Sequence, residues 1–177
     1  VLNPGADMAS SRTAVALSQK YSHMYAAVGV HPHEAKQMIP ADFTELEALS
    51  KHDKVMAIGE IGLDYFYDHS PRDIQKQRFR DQMALAQALK LPVIIHDRDA
   101  HEDCLQIVKE FRGVCGVYHC YSGSWEMAKI LLNLGYYLSF NGVITFKNAR
   151  RSLEVIQKMP LDRLMLETDA PYLSPVP

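Results

Sequence analysis

The sequence of 177 residues lacks several features that would indicate a particular class of protein. It has three cysteines (Cys104, Cys115 and Cys120), an odd number without the CxxC spacing of structural zinc sites, so we expect free thiols in a reducing, cytoplasmic compartment. The longest apolar runs are far too short to span a bilayer, and no signal segment stands at the start. We therefore expect no membrane association.

A large net charge is also missing. The formal charge is −2 at pH 7, which excludes the overall basic character of many nucleic-acid-binding proteins. Two local groups of basic residues remain, one within residues 72–80 and one within residues 147–151. Each is consistent with a solvated helix face and also with a basic rim around a substrate site. Nothing in the sequence indicates an obligate protein partner.

The order of apolar runs and amphipathic segments predicts the fold class. Apolar runs alternate with segments of helical periodicity, and no hairpin signal joins two strands, so we expect right-handed βαβ units and a parallel sheet within one domain over residues 1–177. We count seven strands. A (β/α)₈ TIM-type barrel and a doubly wound open sheet compete. Nearly every strand ends in a potential ligand, which favours the α/β barrel.

One stretch, VMAIGEIGLDY at residues 55–65, carries the strongest functional signal. Its apolar run is typical of a strand buried on both faces, and it leads to Glu60 between two glycines. A carboxylate in such a place is costly unless a cation meets it. We therefore interpret Glu60 as a carboxylate at the end of a barrel strand, placed to bind a metal ion.

Other predicted strands repeat this pattern, since each apolar run is followed by a polar residue. These residues are His31, His96, His119, Asn141 and Asp169. Histidine and carboxylate groups that converge at the carboxyl ends of parallel strands suit zinc or manganese. A carboxylate that bridges two metals about 3.5–4 Å apart would suit hydrolysis at phosphorus.

Each residue taken alone has a simpler interpretation. A histidine after a strand is commonly a hydrogen-bonded loop residue, and Asp99 is expected to cap the following helix. His31 and His33 fit a rigid loop, a substrate contact or a metal ligand. Arg98 fits a bidentate phosphate contact, and equally a surface ion pair with a neighbouring aspartate. Recurrence on several strands favours function for Glu60, His96, His119 and Asp169.

Six strings of the sequence closely resemble the TatD family of metal-dependent deoxyribonucleases, which belong to the amidohydrolase superfamily and have a (β/α)₈ fold. They are GVHPH (29–33), GEIGLDY (59–65), IIHDRDAH (94–101), YHCYSGS (118–124), YLSFNGVITFKN (137–148) and ETDAPYL (167–173). The resemblance implies hydrolysis of phosphodiester bonds in DNA, with a metal-bound hydroxide as nucleophile and two divalent metal ions (Zn, Mn or Mg) as cofactors.

The resemblance also implies a role for each site residue. Glu60 would bridge two metals, and His96 and His119 would bind one of them. Asp169 would bind the other and act as general base. His31 would lie in the same mouth of the barrel. From their positions after the strands, we take His31, His33 and Arg98 as candidate substrate contacts.

The sequence departs from the family pattern in two places. No HxH pair precedes Tyr25, and the family continues beyond the ETDAPYL motif with a basic loop and a helix. We therefore expect a partial barrel that lacks the first βα unit and the C-terminal helix. One metal position, formed by Glu60, His96 and His119, is then complete and the second is compromised. Two alternatives stay open: a non-catalytic fragment that retains one metal, and a hydrolase of small esters, amides or phosphotriesters.

Overall fold

The computed structural model describes residues 1–177 as two compact units, residues 1–114 and residues 115–177. Seven strands alternate with helices along the chain, as the order of apolar runs predicts, and each strand pairs in parallel within its unit. No helix is both long enough and apolar enough to cross a lipid bilayer. Whether residues 1–177 act as the single domain expected from the sequence stays a prediction.

The first unit contains four parallel strands in chain order, with a helix after each. The strands are β1 (Leu2–Pro4), β2 (Tyr25–Val28), β3 (Val55–Asp64) and β4 (Val93–Arg98). The helices are α1 (Met8–Lys20), α2 (Pro40–Leu49), α3 (Arg72–Leu89) and α4 (His101–Glu110), and a 3₁₀ segment covers Pro32–Gln37.

Strand β3 lies at the centre of this sheet, between β2 and β4. It is buried over most of its length, as expected for a parallel strand covered on both faces. Gly62 pairs with His96 on β4 at a φ of +143°. A Cβ atom at this position would lie 1.9 Å from the carbonyl oxygen of His96, so only glycine allows the two strands to meet here. The strand continues to Asp64, so Glu60 lies within it and the prediction of a strand end at Glu60 is wrong.

Helix α3 holds the carboxyl ends of β2 and β3 through two buried glutamines. The side-chain amide of Gln82 accepts from the N–H of Val30 (2.8 Å) and donates to its carbonyl (3.0 Å). Gln75 does the same for Asp64, at 2.9 and 3.1 Å. These amides satisfy backbone groups that the sheet leaves without partners, and they fix the chain where it leaves each strand.

The helix starts differ in part from the sequence prediction. Asp7 is the N-cap of α1: its Oδ1 accepts from the N–H of Ser10 (2.6 Å), and Ser10 Oγ accepts from the N–H of Asp7 (2.9 Å). Asp99 does not cap α4, because its left-handed backbone (φ 55°) leaves Ala100 as the N-cap without a side-chain bond.

The second unit contains three parallel strands, β5 (Gly116–Tyr118), β6 (Tyr137–Phe140) and β7 (Leu164–Leu166). Its helices are α5 (Trp125–Asn133) and α6 (Arg150–Lys158), with 3₁₀ segments at Gly142–Thr145 and Leu161–Arg163. Leu131, Leu138 and Val155 are fully buried and form its core. Ser124 caps α5 through its hydroxyl, which accepts from the N–H of Met127 (3.2 Å).

Candidate active site

The first unit brings together three of the side chains singled out in the sequence. His31 follows β2, Glu60 lies on β3 and His96 lies on β4. One ligand atom from each lies within 4.8 Å of the others. Oε1 of Glu60 is 2.9 Å from Nδ1 of His96 and 3.6 Å from Nε2 of His31. We call these three residues the β2–β4 ligand group.

A buried carboxylate orients His96 from the opposite side of its ring. Oδ2 of Asp64 lies 3.0 Å from Nε2 of His96 and 2.9 Å from Nε2 of His33. Oδ1 accepts from the N–H groups of Phe66 (3.0 Å) and Tyr67 (2.8 Å). Burial by itself would raise the pKa of Asp64, but the hydrogen bonds from His96, Tyr67 and His33 outweigh it and hold that pKa below its usual value. Asp64 is therefore an ionised acceptor.

The ring of His96 lies between two carboxylates, one at each nitrogen. In the neutral tautomer that donates its Nε2 proton to Asp64, the lone pair is on Nδ1 and is directed at Oε1 of Glu60. Two acceptors 2.9 Å apart repel each other unless a cation or a proton stands between them. An imidazole nitrogen and a carboxylate oxygen are also the donors that borderline divalent metals prefer, so the residues present fit such an ion.

His31 turns the other nitrogen of its ring, Nε2, toward Glu60. Its Nδ1 accepts from the N–H of His33 (3.2 Å), so the neutral ring carries its proton on Nε2, the atom that faces Glu60. Burial lowers the pKa of His31 to about 3, and repulsion from His96 acts in the same direction. The ring is therefore neutral at pH 7 and presents a hydrogen-bond donor.

The second unit contains another group of one histidine and two carboxylates that could bind a metal ion, which we call the β5–β7 ligand group. His119 follows β5, and Glu167 and Asp169 follow β7, with one ligand atom of each within 4.8 Å of the others. Nδ1 of His119 is 3.2 Å from Oε2 of Glu167 and 4.0 Å from Oδ1 of Asp169. The other carboxylate oxygen of Glu167 accepts from the N–H of Cys120 (2.7 Å).

Asn141, at the end of β6, holds the carboxylate of Asp169. Its side-chain amide donates to Oδ2 of Asp169 (3.0 Å), and its oxygen accepts from the N–H of Val143 (3.0 Å). The backbone bond fixes which way the amide points, so the NH₂ group faces the carboxylate. Asn141 is buried, whereas the side chain of Asp169 is 30% exposed.

Arg98 lies against aromatic rings and not against its neighbouring aspartates. Its guanidinium stands over the rings of Phe66 and Tyr67, with Cζ 4.1 and 4.8 Å from their centroids. It makes no ion pair with Asp97, which instead bonds His101, nor with Asp99. The ion-pair interpretation is wrong, and the phosphate contact stays a prediction.

Sequence reasoning missed the role of Asp64 and gave Glu167 only a supporting role. A signal for Asp64 was present, because residues 60, 62 and 64 lie on the same side of an extended strand. Asp64 therefore had to share a face with Glu60. For Glu167 the same rule placed its side chain with that of Asp169, as the structure has it.

Comparison with known proteins identifies the class and then the family. An uncharacterized metal-dependent hydrolase of Bacillus subtilis, YabD, is 47% identical over 175 residues, which cover 98% of this chain and 69% of that protein. The 3′-5′ ssDNA/RNA exonuclease TatD of Salmonella typhimurium is 33% identical over 180 residues, covering 99% of this chain and 68% of that one. The metal-dependent hydrolase YcfH of Escherichia coli is 43% identical over 151 residues, and the chain spans 56% of its length.

The structural comparison agrees. The crystal structure of YjjV, a TatD homologue from Escherichia coli, superposes with a TM-score of 0.92 and 34% identity over 99% of this chain and 69% of that one. The predicted fold class, α/β of the TIM-barrel type, is confirmed. The TatD-related DNase family matches residues 1–177. The chain belongs to this family, whose members include metal-dependent hydrolases.

Proposed function

We propose that the protein hydrolyses phosphodiester bonds in DNA with the help of divalent metal ions. The observation that carries the proposal is the β2–β4 ligand group, where an imidazole nitrogen and a carboxylate oxygen face each other at 2.9 Å. The exonuclease activity named for the Salmonella relative supports nucleic acid as the substrate.

Four residues are proposed as metal ligands: Glu60, His96, His119 and Asp169. Divalent ions at such ligands supply a lower pKa for water and neutralise charge that develops on phosphoryl oxygens. His96 enters as a neutral Nδ1 donor because Asp64 holds the proton of its Nε2. Glu167 lies in the same group as His119 and Asp169 and is a further candidate ligand.

The remaining side chains act on substrate and protons. His31 is neutral and carries its proton on Nε2, so it donates a hydrogen bond to a non-bridging phosphoryl oxygen and adds no charge. Asp169 accepts the proton of the attacking water as general base. Asn141 prevents the carboxylate of Asp169 from rotating, since it holds one oxygen from a fixed amide. The carboxylate is then aligned before the substrate arrives.

The test combines metal content with turnover. The purified protein is analysed for metals, and its activity on an oligodeoxynucleotide is measured with and without chelator, next to a phosphotriester and a carboxylic ester. We expect bound divalent metal, chelator-sensitive cleavage of the oligonucleotide, and recovery when metal is restored. Metal-dependent turnover of only the small esters would replace the proposal with a small-molecule hydrolase, and metal binding without any turnover would support the non-catalytic alternative.

A further inference from the structure

Beside the β2–β4 ligand group, two aromatic rings and an arginine form an exposed cluster. Phe66 is 57% exposed and Tyr67 is 49% exposed, although both belong to residue types that are mostly buried. Their rings meet edge to face at 4.8 Å, and the guanidinium of Arg98 lies over both. We call Phe66, Tyr67 and Arg98 the aromatic–arginine cluster.

Arg98 differs from its neighbours in having no acidic partner. Four other arginines of this unit pair with carboxylates. These pairs are Arg12–Glu45, Arg72–Asp68, Arg78–Asp81 and Arg80–Glu110. Arg98 makes only its two ring contacts, so the N–H donors on the edges of its guanidinium remain available to an anion.

The cluster is fixed next to the ligand group through Asp64. One carboxylate oxygen of Asp64 binds the N–H groups of Phe66 and Tyr67, and the other binds the rings of His33 and His96. The ring of Tyr67 also packs edge to face against His33 and stacks on His69, with centroids 5.4 Å apart in each pair, so Phe66 carries the more open ring of the cluster. The bonds to Asp64 therefore fix the backbone of Phe66 and Tyr67 beside His96.

We propose that the aromatic–arginine cluster is a stacking platform for a nucleobase of single-stranded nucleic acid, and that Arg98 binds the phosphate next to that base. The inference rests on the proposed function and specifies which part of the substrate this surface binds. Aromatic faces bind any base by stacking, and arginine adds both a planar face and charge. A base inside a duplex is already stacked on its neighbours, so the platform selects single strands.

The low net charge of the protein supports a single-stranded nucleic acid as the ligand of this cluster. With a net charge of −2, general attraction to phosphates is weak, so stacking has to supply a substantial part of the affinity. A single unpaired arginine between exposed rings supplies one phosphate contact at one fixed place. This combination fits one nucleotide held beside the reacting phosphate.

The test uses two strands of equal length and charge: oligothymidylate, and an abasic strand that has the phosphates and no bases. KM and kcat are measured on both for the wild-type protein, for Phe66→Ala and for Phe66→Trp. We expect the wild type to prefer oligothymidylate, Phe66→Ala to reduce that preference about tenfold through KM, and Phe66→Trp to restore it. Arg98→Ala removes a phosphate contact and weakens binding of both strands.

Tyr25→Ala is the matched control, because Tyr25 is also an exposed ring with a cation over it, Lys54 at 5.7 Å, but lies at the start of β2. It is expected to keep the wild-type preference. An equal loss on both strands in Phe66→Ala, or no loss, would overturn the platform.

A binding measurement separates this inference from the proposed function. Fluorescence anisotropy of both strands is measured in chelator, where no turnover occurs. A base-dependent affinity that Phe66→Ala removes, in a protein that cleaves neither strand with metal present, supports the platform and overturns the nuclease. Cleavage with equal affinity for the two strands overturns the platform and leaves the nuclease standing.

Discussion

Asp64 and His96 are joined by a hydrogen bond of 3.0 Å between Oδ2 of a buried carboxylate and Nε2 of the imidazole. The opposite ring nitrogen faces Glu60 at 2.9 Å. A carboxylate behind a metal-ligating histidine fixes its tautomer and makes it a better donor. Asp64 therefore prepares His96 for a cation without contacting that cation itself.

Asp64→Asn should weaken metal binding about 10- to 100-fold while the protein remains folded. Both oxygens of Asp64 act as acceptors, from two N–H groups and from two imidazoles. An asparagine amide has only one acceptor oxygen, so one of the two pairs is lost. Calorimetric titration of the metal-free protein with Mn²⁺ or Zn²⁺ measures the effect. Asp99→Asn is the matched control, since Asp99 is exposed just beyond β4. Wild-type affinity in Asp64→Asn would exclude this positioning role.

Asp169→Asn should reduce kcat on an oligodeoxynucleotide at least about 100-fold, because an amide cannot accept the proton of the attacking water. The folded structure should persist, since Asp169 is only partly buried. Turnover is compared at saturating metal, with circular dichroism to confirm folding. Asp162→Asn, an exposed change in the turn before β7, should leave kcat near its wild-type value. Near-normal turnover in Asp169→Asn would refute its role as general base.

His31 should make the metal-free protein less stable in mild acid. The folded pKa of His31 is about 3, whereas the unfolded side chain has an ordinary pKa near 6.5. Between these values the unfolded state binds a proton that the folded state does not, so stability falls as pH falls through this window. From pH 6.5 to pH 5 the loss amounts to about 2 kcal/mol.

The measurement is urea unfolding of chelator-treated protein at both pH values. His31→Gln, which does not titrate, should lose about 2 kcal/mol less than the wild type. His52→Gln is the control, because His52 is exposed, and it should follow the wild type. The same pH dependence in His31→Gln as in the wild type would show that His31 does not stay neutral in the fold.

Gln82→Leu should destabilise the protein by about 1–3 kcal/mol for each backbone group left unpaired. The side-chain amide of Gln82 is the hydrogen-bond partner of both the N–H and the carbonyl of Val30, and all three groups are buried. Leucine retains the volume and loses both bonds. Thermal and denaturant unfolding measure the change. Gln77→Leu on the exposed face of α3, where the glutamine bonds only Asp81, should alter stability by less than about 0.5 kcal/mol. Equal stability of the two variants would contradict this role.

The local features of the fold were predictable because they depend on short-range patterns. Apolar runs that alternate with helical periodicity gave seven parallel strands. Hydroxyl and carboxylate caps were harder to assign, since several candidates stand within a few residues of each helix start. Asp7 caps α1 because its extended backbone (φ −152°) aims its carboxylate at the N–H of Ser10, which composition alone does not reveal.

The sequence by itself determined that a polar residue follows each apolar run, and thus gave Glu60, His96, His119 and Asp169 as candidate ligands, because the order of residue types can be read without knowing the fold. Contacts between distant residues were decided only by the tertiary structure. Asp64 meets His96 across 32 residues, and Arg98 lies against Phe66 and Tyr67 instead of its neighbouring aspartates. The pairing and register of the strands determine these contacts, because they decide which side chains of neighbouring strands lie on the same face and within hydrogen-bond distance.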